Sequence, residues 1–61
     1  MTPFARALIT VIHRWKVGSL PDTALEKAIC EATQSSYFMA KWLASRIRNH
    51  SITPTTLTGG K

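Results

Sequence analysis

The apolar residues of this 61-residue chain fall into two helical runs joined by a short polar connection. In the first run, Phe4, Leu8, Val11 and Trp15 recur at intervals of four, three and four, and Ala7 and Ile12 widen the stripe. Arg6, Thr10, His13 and Lys16 fall on the other faces, the pattern of an amphipathic helix over residues 3–17. Pro3 suits the first turn, where its missing N–H costs nothing, and Thr2 stands before it as N-cap. Gly18 supplies a left-handed C-cap, and Arg14 and Lys16 put cations at the negative end of the helix dipole.

The second run is longer. Leu25, Ile29, Ala32, Ser36, Met39, Leu43 and Ile47 keep a three-and-four spacing, and neither Gly nor Pro interrupts residues 23–49. Thr23-Ala24-Leu25-Glu26 reads as a capping box, with the Thr23 hydroxyl accepting from the Glu26 N–H and the Glu26 carboxylate returning to the Thr23 N–H. That reading makes Glu26 a cap. Phe38 and Trp42, one turn apart, stand well round from the stripe. The weak stretch is Thr33-Gln34-Ser35-Ser36, whose side chains compete for backbone groups and favour turns and caps. After Ser51 the periodicity ends, and residues 52–61, with Pro54, Gly59 and Gly60, read as a disordered tail behind a single helical domain of residues 1–51.

Two all-α architectures follow from this pattern. In the first, residues 23–49 form one helix of about 40 Å against roughly 20 Å for the first helix. The short helix of such a hairpin covers only half of the long one, and a second copy covers the rest, giving a dimeric four-helix bundle. The dimer or partner interface is then Leu25, Ile29, Ala32, Phe38, Met39, Trp42, Leu43 and Ile47, with Phe38 and Trp42 as anchors. In the alternative, the chain breaks near Thr33–Ser36 into a three-helix module, and the re-phased last helix turns Phe38, Met39 and Trp42 toward one small core.

Size and composition sharpen the choice. A chain this short buries only roughly 60% of its unfolded surface, so its core is marginal. Cys30 is the lone cysteine and His13 and His50 are the only histidines, which excludes an intrachain disulfide and a zinc-ligand spacing. Oligomerisation is the remaining route to more buried surface. An unpaired cysteine fits a reducing, cytoplasmic setting. The net charge of +5 is uneven: Arg6, Arg14 and Lys16 mark the first helix, Asp22, Glu26 and Glu31 outweigh Lys27 in the middle, and Lys41, Arg46 and Arg48 follow. Such a balance favours anionic partners. No apolar stretch approaches the ~20 residues a bilayer requires. The charge-then-apolar order after Arg6 is cut short by His13, Arg14 and Lys16 with no small-residue cleavage site, so it reads as part of the fold.

Nothing in the chain carries catalytic, cofactor or metal chemistry above background. Asp22 and Glu31 lie nine residues apart on a polar surface, and Gly59-Gly60-Lys61 lacks the strand and helix of a phosphate loop. Cys30 and His13 could meet across the two helices as nucleophile and base, but a domain of this size has little room for a pocket beside its core. The expected function is therefore that of a non-enzymatic, cofactor-free homodimer that binds and regulates a protein. Nucleic acid is the alternative partner, through Tyr37, Lys41, Arg46 and Arg48. Peripheral membrane binding by the first helix, whose apolar face is flanked by Arg6, Arg14 and Lys16, comes third.

Two resemblances bear on this expectation. Residues 28–43, Ala-Ile-Cys-Glu-Ala-Thr-Gln-Ser-Ser-Tyr-Phe-Met-Ala-Lys-Trp-Leu, resemble the helix–turn–helix DNA readers, mostly in their second half. The resemblance implies a helix from Ser35 in the major groove, presenting Ser36, Tyr37, Ala40 and Lys41. The sequence departs from that pattern at Thr33, where the turn usually has Gly, at Ile29, where a small residue belongs, and at Gln34, where an apolar one does. Moving the register by one repairs Ile29 but is expected to put Lys41 in the core. The layout of residues 3–50, with Arg-Trp-Lys in the first helix and Ala-Lys-Trp-Leu in the second, resembles the small early-region accessory proteins of lambdoid bacteriophages. That likeness implies a role in retuning host physiology or the lysis–lysogeny choice, in the cytoplasm of the host cell, and assigns no functional residue.

Overall fold

The computed structural model describes residues 2–57, and every regular element among them is helical. The order is α1 (Pro3–Lys16), a 3-10 turn (Asp22–Ala24), α2 (Leu25–Thr33), α3 (Tyr37–Arg48) and a short α4 (Pro54–Leu57). The first helix matches its pattern closely. Thr2 Oγ1 accepts from the Ala5 N–H at 3.1 Å, Pro3 opens the first turn, and Gly18 closes the far end at φ +87°. There the Ser19 N–H reaches the Arg14 carbonyl at 3.0 Å and the Gly18 N–H reaches Trp15 at 3.2 Å, the paired bonds of a Schellman cap. Phe4, placed on the core stripe by its spacing, remains 44% exposed in the first turn, while Ala5 is buried.

The single helix expected over residues 23–49 is not formed. Gln34 takes a left-handed conformation at φ 59° and the chain turns through residues 34–36 before α3 begins. Side chains hold the break from both sides. Thr33 Oγ1 donates back to the Ile29 carbonyl at 2.7 Å and pairs with Ser35 Oγ at 2.6 Å. Cys30 Sγ donates to the Ser35 carbonyl at 2.9 Å, and Ser36 Oγ caps α3 by accepting from the Met39 N–H at 3.2 Å. Small polar residues with alternative backbone partners thus end one helix and start the next. The left-handed residue is Gln34 and not Thr33, so the helix–turn–helix register shifts by one, with Cys30 as the small residue four before the turn. Ala40, which the unshifted register presented to the groove, is buried, and Lys41, which the shift was expected to put in the core, is exposed.

Re-phasing decides the core. Leu8, Val11 and Ile12 of α1 meet Leu25 and Ile29 of α2 and Ala40, Leu43, Ala44 and Ile47 of α3, with Trp15, Leu20, Ala28 and Cys30 packed around them. Leu8, Ile12, Leu25, Ile29 and Ile47 are fully enclosed, each burial worth about 1.5–3 kcal/mol before entropy is charged against it. Leu25, Ile29, Leu43 and Ile47, expected to seam two copies together, are therefore already covered within one chain. No second copy is needed to bury them.

Two further expectations give way. The capping box is absent: α2 starts after the 3-10 turn with Ala24 as N-cap and no side-chain cap, and Glu26 bonds elsewhere. The segment expected to be a disordered tail is ordered over 52–57, where Ile52 and Leu57 pack against the core and α4 lies on α1; residues 58–61 lie outside the described residues. Thr53 Oγ1 caps α4 through the Thr56 N–H at 3.2 Å, with Pro54 in its first turn.

Among the described residues, the non-glycine positions in the left-handed region, Gln34 and His50, sit where helices end. Gln34→Gly and His50→Gly should each raise stability by about 0.5–1 kcal/mol, because a Cβ in this region is strained and glycine is not. Urea denaturation of the single and double variants checks this, and near-additive gains are expected because the two positions stand at opposite ends of α3. Ile52→Ala together with Leu57→Ala should cost about 2–4 kcal/mol, since each strips apolar contacts from the core edge. A disordered tail would leave the denaturation midpoint unmoved.

Candidate functional site

The core positions of α3 are Ala40, Leu43, Ala44 and Ile47, so its outward surface carries Phe38, Met39, Lys41, Trp42, Ser45 and Arg46. This surface has an unusual composition for a folded exterior. Phe38 is 83% exposed, Tyr37 59%, Trp42 50% and Met39 45%, all within two turns of one helix. The Arg46 guanidinium lies over the Trp42 ring, 4.6 Å from its centroid, one turn further along. No Asp or Glu occurs in α3. The result is an apolar aromatic row flanked by cations.

The other two residues expected to contact nucleic acid serve a different purpose. Arg48 donates from Nε to Asp22 Oδ1 at 2.9 Å and from Nη2 to the Asp22 carbonyl at 2.9 Å, while its Nη1 stands 3.7 Å from Glu26 Oε2. Tyr37 donates its hydroxyl to Glu26 Oε1 at 3.1 Å. Asp22 Oδ1 also accepts from the Trp15 indole N–H at 3.3 Å. Glu26 thereby grips both ends of α3, and Asp22 ties α3 to α1. The groups are partly exposed, so the forked Arg48 contact contributes on the order of 1 kcal/mol. Arg48 and Tyr37 are latch residues, whereas Lys41 and Arg46 stand on the outward side of α3.

Of the expected interface set, then, Leu25, Ile29, Leu43 and Ile47 are internal, and Phe38, Met39 and Trp42 remain on the surface. Ala32 is exposed on another side, in an open depression of about 380 Å³ between α1 and α2 that is lined also by Ala7, Thr10, Val11, Arg14, Leu20, Ala28 and Glu31. The candidate nucleophile Cys30 is turned onto the Ser35 carbonyl, and His13 is exposed. Among the described residues no cluster of His, Cys, Asp and Glu could hold a metal ion. No helix among them is long and apolar enough to cross a membrane, and the residues that would lay α1 onto one, Leu8, Val11 and Ile12, are in the core.

The latch was within reach of sequence reasoning in one respect. Asp22 and Glu26 are four residues apart and can share one cation, a signal that the capping-box reading of Glu26 conceals. No protein-family model matches the chain, and no curated protein or solved structure is significantly similar to it. The likeness to lambdoid early-region proteins stands on layout alone.

The Glu26 carboxylate raises the Tyr37 phenol above its ordinary value of 10.0, first by accepting its hydrogen bond and then by its charge. Tyr37 is the only tyrosine, so tyrosinate absorbance reports it without interference from another phenol. Its midpoint should lie above 10 in the native protein and move back toward 10 in Glu26→Gln. A folded value above the unfolded one means that the contact supports the fold fully below about pH 10 and is lost as pH rises through the folded value. Tyr37→Phe should remove that part of the alkaline loss of stability, and a native midpoint below 10 would break the assignment.

Proposed function

We propose that this chain is a non-enzymatic regulatory module that binds a protein partner through the outward face of α3. One inversion carries the reading: α3 places Ala40 and Ala44 inside and Phe38 and Trp42 outside. Burying an aromatic side chain yields about 1.5–3 kcal/mol, a large gain for a core this small. A sequence shaped for stability alone would use its aromatics inward. Trp, Phe, Met and Arg are also among the residue types concentrated at the centres of protein interfaces, and Phe38, Met39, Trp42 and Arg46 assemble them on one helix. The stacking of Arg46 on Trp42 orders two long side chains before any partner arrives, which lowers the entropy cost of docking.

The homodimer reading loses Leu25, Ile29, Leu43 and Ile47 to the core, and a two-fold contact through α3 would set Lys41 and Arg46 against cations with no carboxylate in the helix to answer them. Nucleic acid is the second reading. It is favoured by the helix–turn–helix order of α2 and α3 and by the absence of acidic residues from α3. Against it, Tyr37 and Arg48 are occupied by Glu26 and Asp22, carboxylates that would meet an approaching phosphate backbone on that flank.

The double variant Phe38→Ser with Trp42→Ser tests the proposal. It should keep native helicity and a stability within about 0.5 kcal/mol of the parent, because neither residue belongs to the core. Affinity capture from an extract of the protein's native cells should lose its retained proteins in the variant. Equal retention by parent and variant, or retention that nuclease abolishes, would refute docking through α3.

A further inference from the structure

The chemistry of the α3 face specifies its occupant more narrowly. Phe38 and Trp42 form a row one turn apart, and on a helix of ~3.6 residues per turn Lys41 falls to one side of that row and Arg46, with Met39, to the other. Among the described residues the ion pairs are those of Arg48 with Asp22 and Glu26, which lie on the Lys41 flank. Those two carboxylates are engaged by Arg48 and Tyr37. On the Lys41 side the cations are balanced by Asp22 and Glu26, whereas among the described residues no ion pair answers Arg46, so the row is bordered by unpaired positive charge on its Arg46 side. The Arg46 guanidinium, held 4.6 Å from the Trp42 centroid, keeps N–H donors that a carboxylate can accept from.

Resting on the reading of α3 as a protein-docking face, we propose that its occupant is an acidic amphipathic segment of another protein. Apolar side chains of that segment cover Phe38, Met39 and Trp42, and its carboxylates meet Arg46. A second copy of this chain does not fit as a symmetric mate, because α3 offers no carboxylate to its own cations. A DNA groove fits less well, because its base edges are read by donors and acceptors, and the centre of this face is phenyl and indole.

Selection from a random peptide library against the full-length chain tests this. Enriched sequences should be net acidic, with apolar residues at helical spacing. A selected peptide should lose about tenfold or more in affinity to Phe38→Ser and to Arg46→Glu, and replacing its Glu residues by Lys should restore binding to Arg46→Glu. Circular dichroism of both variants confirms that they are folded. Neutral or basic peptides that still require Phe38 would overturn the acidic occupant while leaving protein docking intact. Peptides indifferent to Phe38 and Arg46, or no enrichment beside salt-dependent binding of a short DNA duplex, would overturn both. No enrichment without duplex binding also overturns the proposal, as does a dimer in sedimentation equilibrium that Phe38→Ser dissolves.

Discussion

The left-handed turn at Gln34 is the constraint on which the remainder of the structure hangs. Without it, the stripe from Leu25 to Ile47 runs along one rod too long for α1 to cover. With it, the chain folds back so that Leu43 and Ile47 pack onto Leu25 and Ile29 of the preceding helix. The turn is not an accident of one residue. Thr33 and Ser35 bond each other, Cys30 holds the Ser35 carbonyl, and Ser36 caps the next helix. These three local bonds replace the few backbone hydrogen bonds that a continuous helix would have made, and the core closes within one copy.

The same turn sets which residues of α3 face inward. Continuing the stripe would set Met39 on one face with Leu25 and Ile29; the observed phase buries Ala40 and Ala44 and leaves Met39 outward. Alanines let two helices approach closely, which suits a short chain with little side-chain volume to place between layers. The cost is that the largest side chains of α3 have no inward position. Glu26 then fixes the helix in this phase, reaching Tyr37 at its first turn and Arg48 at its last, while Asp22 holds the Arg48 fork and the Trp15 indole. A helix held this way presents its aromatic row at a defined angle.

What could be read from the chain alone divides along the range of the interactions. The first helix was legible to its caps, because Thr2, Pro3 and Gly18 act on their own neighbours. All-helical content was legible for the same reason. The weak stretch at residues 33–36 was visible as composition, but whether it breaks depends on burying Leu43 and Ile47 against Leu25 and Ile29, a gain no local window contains. Glu26 was assigned to a cap three residues away and is claimed by partners eleven and twenty-two residues away. Leu57 read as tail because four helical residues carry no periodicity; its order comes from packing on α1. Of the candidate site, Phe38 and Trp42 stood out by phase, and Lys41 and Arg46 by charge. That Arg48 and Tyr37 belong to the latch required the fold.

An exposed aromatic row costs a small protein something in solubility and offers its core nothing, and the proposed docking through α3 accounts for it. The latch makes the point physically. Tyr37 and Arg48, which could have joined the aromatic and cationic surface, are drawn aside by Glu26 and Asp22, while Phe38, Trp42 and Arg46 are left outward and mutually ordered. One set of polar contacts supports the position of α3 and the other set of side chains stands ready on it. Because the two sets share a helix but no residues, the outward set can change without disturbing the fold. Under the proposed docking through α3, a module with that separation can alter its partner while keeping its core.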